Sequence, residues 1–269
     1  MTKARAISKV VLSLADSTGA PPDYVALAEV DNDYVLRQLV YQTALSAYGY
    51  RYVHFDSRDH RGIDCALLYR GERPRSRAVP LVLDADTLAT RDILLCEFDS
   101  LTLMVCHLPS KRGGSQEAAR RRVCALRTID SLARICQGPL VVMGDFNDTP
   151  ADRSIAQVLT SLTLQPLLDV TKAHSINGTH KYQGTWSQLD HLFVHPSMLD
   201  KSASMQLVET SPRLFAPAFL LKKETNGSGM RPFRTYMGYR YEGGFSDHLP
   251  ILADFVIDAV IRESEDKEE

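Results

Sequence analysis

The sequence predicts an α/β (α+β) domain made of two packed β-sheets with helices on the outside. Three observations carry that expectation. Short apolar runs outnumber amphipathic helical stretches, and several follow one another without a helix between them. Many of these runs end in polar or charged residues, as strands do when they leave a core. Apolar residues make up 44% of the 269-residue chain, which is enough to bury a core and argues against bulk disorder. A strictly alternating strand–helix barrel fits less well, because adjacent strands are too frequent.

In chain order, residues 4–14 place Ile7, Val10, Val11 and Leu14 at helical spacing, predicting an amphipathic helix that ends near Ser17 and Gly19. Pro21-Pro22-Asp23 is a turn, and Tyr24 to Ala28 is a short buried strand running into Glu29-Val30-Asp31-Asn32. Residues 33–47 read as a helix, and 50–55 and 64–69 as strands around a charged loop. Three further strands are expected at 79–83, 92–98 and 101–106, the last ending in His107-Leu108-Pro109-Ser110. A basic loop, Lys111-Arg112-Gly113-Gly114, leads into a long helix over 115–136, with Val123, Leu126, Ile129, Leu132 and Ile135 on one face. Leu140 to Met143 is a buried strand that breaks at Gly144 into the acceptors Asp145, Asn147 and Asp148. Residues 154–162 read as helical, 171–188 as irregular, and 189–194 as a strand carrying Asp190 and His191. Residues 209–244 read as a long surface excursion, after which Ser246-Asp247-His248-Leu249-Pro250 introduces a final strand at 251–257. Residues 1–260 are expected to form one domain, and 261–269 a charged tail.

Composition narrows the function. A net charge of −2 excludes a global basic field, so a nucleic-acid partner would need a local patch. The five cysteines are odd in number and form no CxxC, which favours buried free thiols in a reducing compartment over disulfides or a zinc site. That leans towards a cytoplasmic location, with export of a longer parent protein left open. No apolar run approaches the ~20 residues of a membrane span.

Five strand ends present polar groups: Glu29, His107, Asp145 with Asn147, Asp190, and Asp247 with His248. Each has an ordinary structural reading, such as a helix-start carboxylate for Glu29 or a turn cluster for Asp145 to Asp148. Together they form a set. Carboxylates without cysteine partners favour Mg²⁺ or Mn²⁺ over zinc, with Glu29 the first choice of direct ligand and Asp247 and Asp145 near it. The histidines add groups able to take a proton from water or donate to a phosphate oxygen, and a carboxylate beside one fixes its tautomer. These are the parts for metal-assisted attack of water on a phosphate ester.

The motifs Leu27-Ala28-Glu29-Val30, Cys106-His107-Leu108-Pro109-Ser110, Gly144-Asp145-Phe146-Asn147-Asp148, Leu189-Asp190-His191 and Ser246-Asp247-His248-Leu249-Pro250 stand in this order along nearly the whole chain. In them the sequence resembles the endonuclease/exonuclease/phosphatase superfamily, and within it a group of bacterial members of undefined substrate. The resemblance implies a four-layer sandwich of two mixed sheets flanked by helices, with the site at one end. It also implies roles. Glu29 is expected as metal ligand with Asp247 near the metal, and Asp145 with Asn147 to orient nucleophile and phosphate. His248 is expected as base or phosphate-binding histidine with Asp190 as its partner, and His107 as a phosphate-contacting acid. Relatives of this kind open with a strand carrying an asparagine that faces the metal. Here the first asparagine is Asn32, already beyond Glu29, so the resemblance implies a gap beside Glu29 and weakened turnover.

The expected substrate is a phosphate ester. Lys111, Arg112 and Arg120 to Arg122 are candidates for a phosphate-binding rim, or a solvated helix face. Tyr182, Trp186 and Tyr236 either stack on bases or sugars or pack under the long loops. The leading expectation is a metal-dependent phosphodiesterase acting on nucleic acid or a smaller diester. The alternatives are a phosphomonoesterase on sugar or lipid phosphates, and a binding module with little turnover. Oligomeric state is left open.

Overall fold

Helix α1 (Lys3–Ser13) starts where the Thr2 hydroxyl accepts the amide of Arg5, a side-chain N-cap that satisfies one otherwise orphaned donor. The computed structural model describes residues 2–15, 19–111, 116–152, 155, 164–167, 176–225, 227 and 229–257. Strand β1 (Tyr24–Val30) follows, then α2 (Asp33–Tyr41), capped by the Asn32 side chain at the amide of Val35. The helix expected over 33–47 stops at Tyr41. Thr43 caps a separate 3-10 turn at Ala44–Tyr48, and Gly49 closes it at φ +71°.

Strands β2 (Arg51–His54) and β3 (Asp64–Tyr69) complete a three-stranded antiparallel sheet in the order β1-β3-β2. A second sheet of six strands runs β8-β9-β7-β6-β5-β4. Its members are β4 (Arg75–Val79), β5 (Ile93–Glu97), β6 (Thr102–His107), β7 (Leu140–Asp145), β8 (Gln165–Pro166) and β9 (Asp190–Val194). All pair antiparallel except β6 and β7, which helix α3 (Gln116–Ile135) connects as a parallel crossover. The strand expected at 79–83 is displaced. β4 occupies 75–79, an edge strand with Arg75 and Arg77 outward, and Val82–Leu83 turns back on Asp86–Thr87. Its charged residues hide it from a search for apolar runs.

Three apolar clusters stack through these layers. Val11, Leu36, Leu39, Val40, Leu68 and Tyr50 join α1 and α2 to one face of the small sheet. Leu67, Tyr69, Leu94, Leu103, Val105, Val141 and Leu192 fill the space between the sheets. Leu95, Met104, Leu126, Ile129, Val142 and Phe146 join the large sheet to α3. The five cysteines are free, four of them buried. No helix among the described residues is long and apolar enough to cross a membrane.

The stretches read as irregular contain short hairpins. His180–Tyr182 pairs with Thr185–Ser187, Leu221–Lys223 with Met230–Pro232, and Tyr236–Met237 with Arg240–Tyr241. The last expected strand is two short ones, Ile251–Leu252 on Arg213–Leu214 and Phe255–Ile257 on Met205–Leu207. The helix expected at 154–162 lies outside the described residues except for Ile155, as do the tail 261–269 and the loop residues 112–114.

Candidate active site

Sheet register builds the centre of the site. On the parallel β6/β7 pair His107 stands opposite Asp145, and on the antiparallel β7/β9 pair Asp145 stands opposite Asp190. Three polar residues therefore lie in one row across three adjacent strand ends. The row requires β6 and β7 to approach closely at Gly144, where φ is +141° and an added Cβ would lie 1.9 Å from the Cys106 carbonyl oxygen. Phe146, fully buried against His191 and Phe193, pins the loop that follows.

His248 reaches the row from the other end of the chain. The Leu249 amide donates to the Thr179 carbonyl at 2.8 Å, and His180 and His248 form an isolated antiparallel bridge. His248 Nδ1 then donates to Asp190 Oδ2 at 2.6 Å. The His180 ring lies over that of His248, centroids 4.7 Å apart, and its Nε2 is 4.0 Å from Asp247 Oδ2. His107 Nε2 is 3.5 Å from Asp145 Oδ2, while its buried Nδ1 has no hydrogen-bond partner among the described residues.

The charge states follow from burial and neighbours. Desolvation, then the facing Asp190 carboxylate, push Asp145 up to about 7. Burial also works against ionisation of Asp190. The charge and hydrogen bond of His248 outweigh it and hold Asp190 below its usual range. Burial disfavours the His248 cation, yet Asp190 above all, with Asp145 and Asp247, raises it to about 10. His107 is driven down to about 3 by burial and then by Arg91 and Arg61. His180 goes to about 4 through burial and the charge of His248. The His248 imidazolium thus shares the site with two neutral imidazoles, and with one buried carboxylate, Asp145, and one half-buried, Asp190.

Asn147 sits at φ +52°, a left-handed conformation that asparagine tolerates. Its backbone amide donates to Asp145 Oδ1 at 2.8 Å, and its Nδ2 to Leu108 O at 3.0 Å and Asp145 Oδ2 at 3.2 Å. Glu29 is exposed, at φ +58° in a bulge where the β1/β3 register shifts between Leu27 and Val30. Among the described residues, ligand atoms cluster within 4.8 Å as Asp145/Asp190/His248, His180/Asp247/His248 and His54/Asp56/Asp64, and Glu29 belongs to none of these trios. The Lys3 ammonium bonds Thr235 Oγ1 at 2.7 Å and the Phe245 carbonyl; burial holds its pKa below the usual lysine value, opposed by the carboxylates of Asp247 and Glu29. Lys111 is held at 3.0 Å from Asp148 Oδ1 and 2.7 Å from Asp152 Oδ2. Arg122 is buried on Asp148, whereas Arg120 and Arg121 pair with Glu117 on the surface. Arg112 lies outside the described residues.

The sequence reading missed several residues. His180 stood in a stretch read as irregular, although Tyr182-Gln183-Gly184-Thr185 carries a turn signal. Arg91 stands at a strand start, outside the set of strand ends. It is buried, its guanidinium 3.0 Å from Asp59 and donating to Leu108 O at 2.6 Å, beside the His107 ring. Lys3 carried no signal at all.

A model described as endonuclease/exonuclease/phosphatase family matches residues 1–256. The chain belongs to that family. Members of this family are hydrolases acting on phosphoesters, and they include nucleases, phosphodiesterases and phosphatases. No curated protein matches the sequence. Solved structures show the same fold at low identity. D. rerio TDP2 complexed with a single-strand DNA product is 22% identical, with TM-score 0.61, over 94% of this chain and 91% of that one. The human Nocturnin catalytic domain with bound sulfate is 18% identical, with TM-score 0.53, over 96% and 88%. Bacteroides thetaiotaomicron mannosyl-6-phosphatase Bt3783 is 15% identical, with TM-score 0.54, over 95% and 91%.

Proposed function

We propose that the chain hydrolyses phosphodiester bonds with a divalent metal, Mg²⁺ or Mn²⁺, at the corner formed by Asp145, Asp190 and His248. The observation that carries this reading is the 2.6 Å Asp190–His248 pair set against the buried Asp145 carboxylate. Two carboxylates sharing one imidazolium suit phosphate binding and proton transfer, and the oxygen donors of Glu29 and Asp247 suit a hard cation. Glu29 and Asp247 would hold the metal, which when bound polarises phosphate and water. The His248 imidazolium donates to a non-bridging phosphate oxygen. Asp145, ionised, accepts the proton of the attacking water, and the Asn147 amide group positions that water and the phosphate. His107, neutral, offers an N–H to a phosphate oxygen without adding charge. Lys111 and Arg112 are proposed at the rim.

The same reading takes the packed sheets and helices as a four-layer sandwich with one strand wanting. Among the described residues β1 pairs with β3 alone, and Glu29 at its end is exposed. A strand added to that edge would lie beside the Glu29 bulge and raise metal-dependent turnover. This open edge also keeps in view a binding module with little turnover.

The test is hydrolysis of bis-p-nitrophenyl phosphate against p-nitrophenyl phosphate, with Mg²⁺ or Mn²⁺ and with EDTA. Diester cleavage abolished by EDTA is the expected result. Preference for the monoester would favour a phosphomonoesterase, and inertness towards both, even with the β1 edge completed, would falsify the enzymatic reading.

A further inference from the structure

Two hairpins adjoin the segment that carries Asp247 and His248, one by its bridge to His248 and one in sequence, and both present tyrosines to solvent. On the first, His180 and Tyr182 are two residues apart on one strand and so point to the same side. His180 lies over His248, which puts Tyr182, 65% exposed, next to the corner. The second hairpin, Tyr236–Met237 with Arg240–Tyr241, leaves the chain a few residues before Asp247 and His248. Tyr236 and Tyr241 are cross-strand partners with rings 5.3 Å apart, and Gly238 at φ +58° permits the tight connection that carries Tyr239. Tyr236 is 56% exposed, Tyr241 59%, and Tyr239 fully exposed. Trp186, by contrast, packs into the apolar cluster around Phe245 and Leu249.

These are not loose loops. Arg234 Nη2 donates to Lys181 O at 2.9 Å, joining the two hairpins. Lys181 Nζ reaches Glu224 at 3.0 Å, while Glu242 takes Arg231 at 2.7 Å and Lys222 at 3.2 Å. The third hairpin, 221–232, braces both. Of the arginines in this segment, Arg231 is buried on Glu242 and Arg234 is half-buried on the Lys181 carbonyl, while Arg240 on the second hairpin is exposed. Exposed aromatics on a braced support, with the exposed Arg240 among them, match what unpaired nucleobases need, since bases stack on aromatic faces while cations follow the backbone.

We propose that Tyr182 on one hairpin and Tyr236, Tyr239 and Tyr241 on the other form a stacking clamp for the unpaired nucleobases flanking the scissile phosphate of a single-stranded nucleic acid. The inference rests on the phosphodiesterase reading only for its direction, because the clamp acts in binding. It is tested without metal, by fluorescence anisotropy of a short labelled oligothymidylate with the full chain in EDTA, against an abasic oligomer of equal length. Tyr239→Ala and Tyr241→Ala should each weaken binding at least about fivefold, the low end of one lost base stack. Tyr239→Phe and Tyr241→Phe should restore it, Tyr41→Ala on α2 should leave it unchanged, and the abasic oligomer should bind more weakly and respond to none of them. Equal affinity for both oligomers, alanine variants that bind as wild type, or binding of an oligosaccharide in place of the oligonucleotide would each overturn the clamp. If the clamp behaves as described but Mn²⁺ brings no diester cleavage, the catalytic reading fails and the clamp stands.

Discussion

Replacing Asp190 with asparagine isolates the charge that holds the His248 imidazolium, because an asparagine oxygen can still accept from Nδ1. The rise of His248 from 6.5 to about 10 corresponds to about 5 kcal/mol at ~1.4 kcal/mol per unit. Asp145 and Asp247 remain to support the cation, so Asp190 alone carries a part, about 2–3 kcal/mol. The sign follows from the direction of the shift. A histidine whose folded pKa is raised contributes stability that is complete below its unfolded value and disappears as pH rises through the folded one. Wild type should therefore lose stability between about pH 6.5 and pH 10, and Asp190→Asn should be about 2–3 kcal/mol weaker near pH 6.5, with the gap closing towards pH 10. Urea unfolding at several pH values measures the gap, and an NMR titration of the His248 ring should show its pKa falling. A gap that is constant with pH, or a His248 pKa still near 10 in the variant, would refute the coupling.

Other consequences follow from the same geometry. With Asp145 at about 7, diester turnover should rise with pH to a plateau above that value, read from kcat/KM against pH. Gly144→Ala should cost more than about 3 kcal/mol in chemical denaturation or prevent folding, since its Cβ would meet the Cys106 carbonyl at 1.9 Å. Phe146→Ala should cost about 3–5 kcal/mol, measured in the same way, because the ring is fully buried under the Asp145–Asp148 loop. Burial pushes the Cys65 and Cys96 thiols to about 12, so a thiol reagent should leave both unmodified in the native chain and reach them only in urea.

Much of this polar row was legible in the sequence because its residues sit where strands end. The apolar runs of β6 and β7 could only be buried strands, so His107 and Asp145 had to emerge at their exits. The parallel register that sets them opposite each other is a tertiary fact that no local pattern carries. Helix α3 was readable from its apolar stripe to within a residue at either end. β4 was not, because its arginines face solvent at a sheet edge. His180 was missed for a related reason: the three-residue strands around it are too short to show a period, and the buried Lys181–Glu224 ion pair supports them beside a single apolar anchor, Trp186. The exposed tyrosines of 236–241 could have been core residues by composition alone. Only the packing of Trp186 and Phe245 beneath them shows which aromatics are used inside.

Whether the Asp145–Asp190–His248 corner does chemistry on a phosphate ester is tested most directly by steady-state hydrolysis of bis-p-nitrophenyl phosphate by wild type and His248→Asn, with saturating Mn²⁺. A fall in kcat of at least about 10²-fold, with Mn²⁺ still bound, is the predicted result. A variant that turns over as fast as wild type would contradict it.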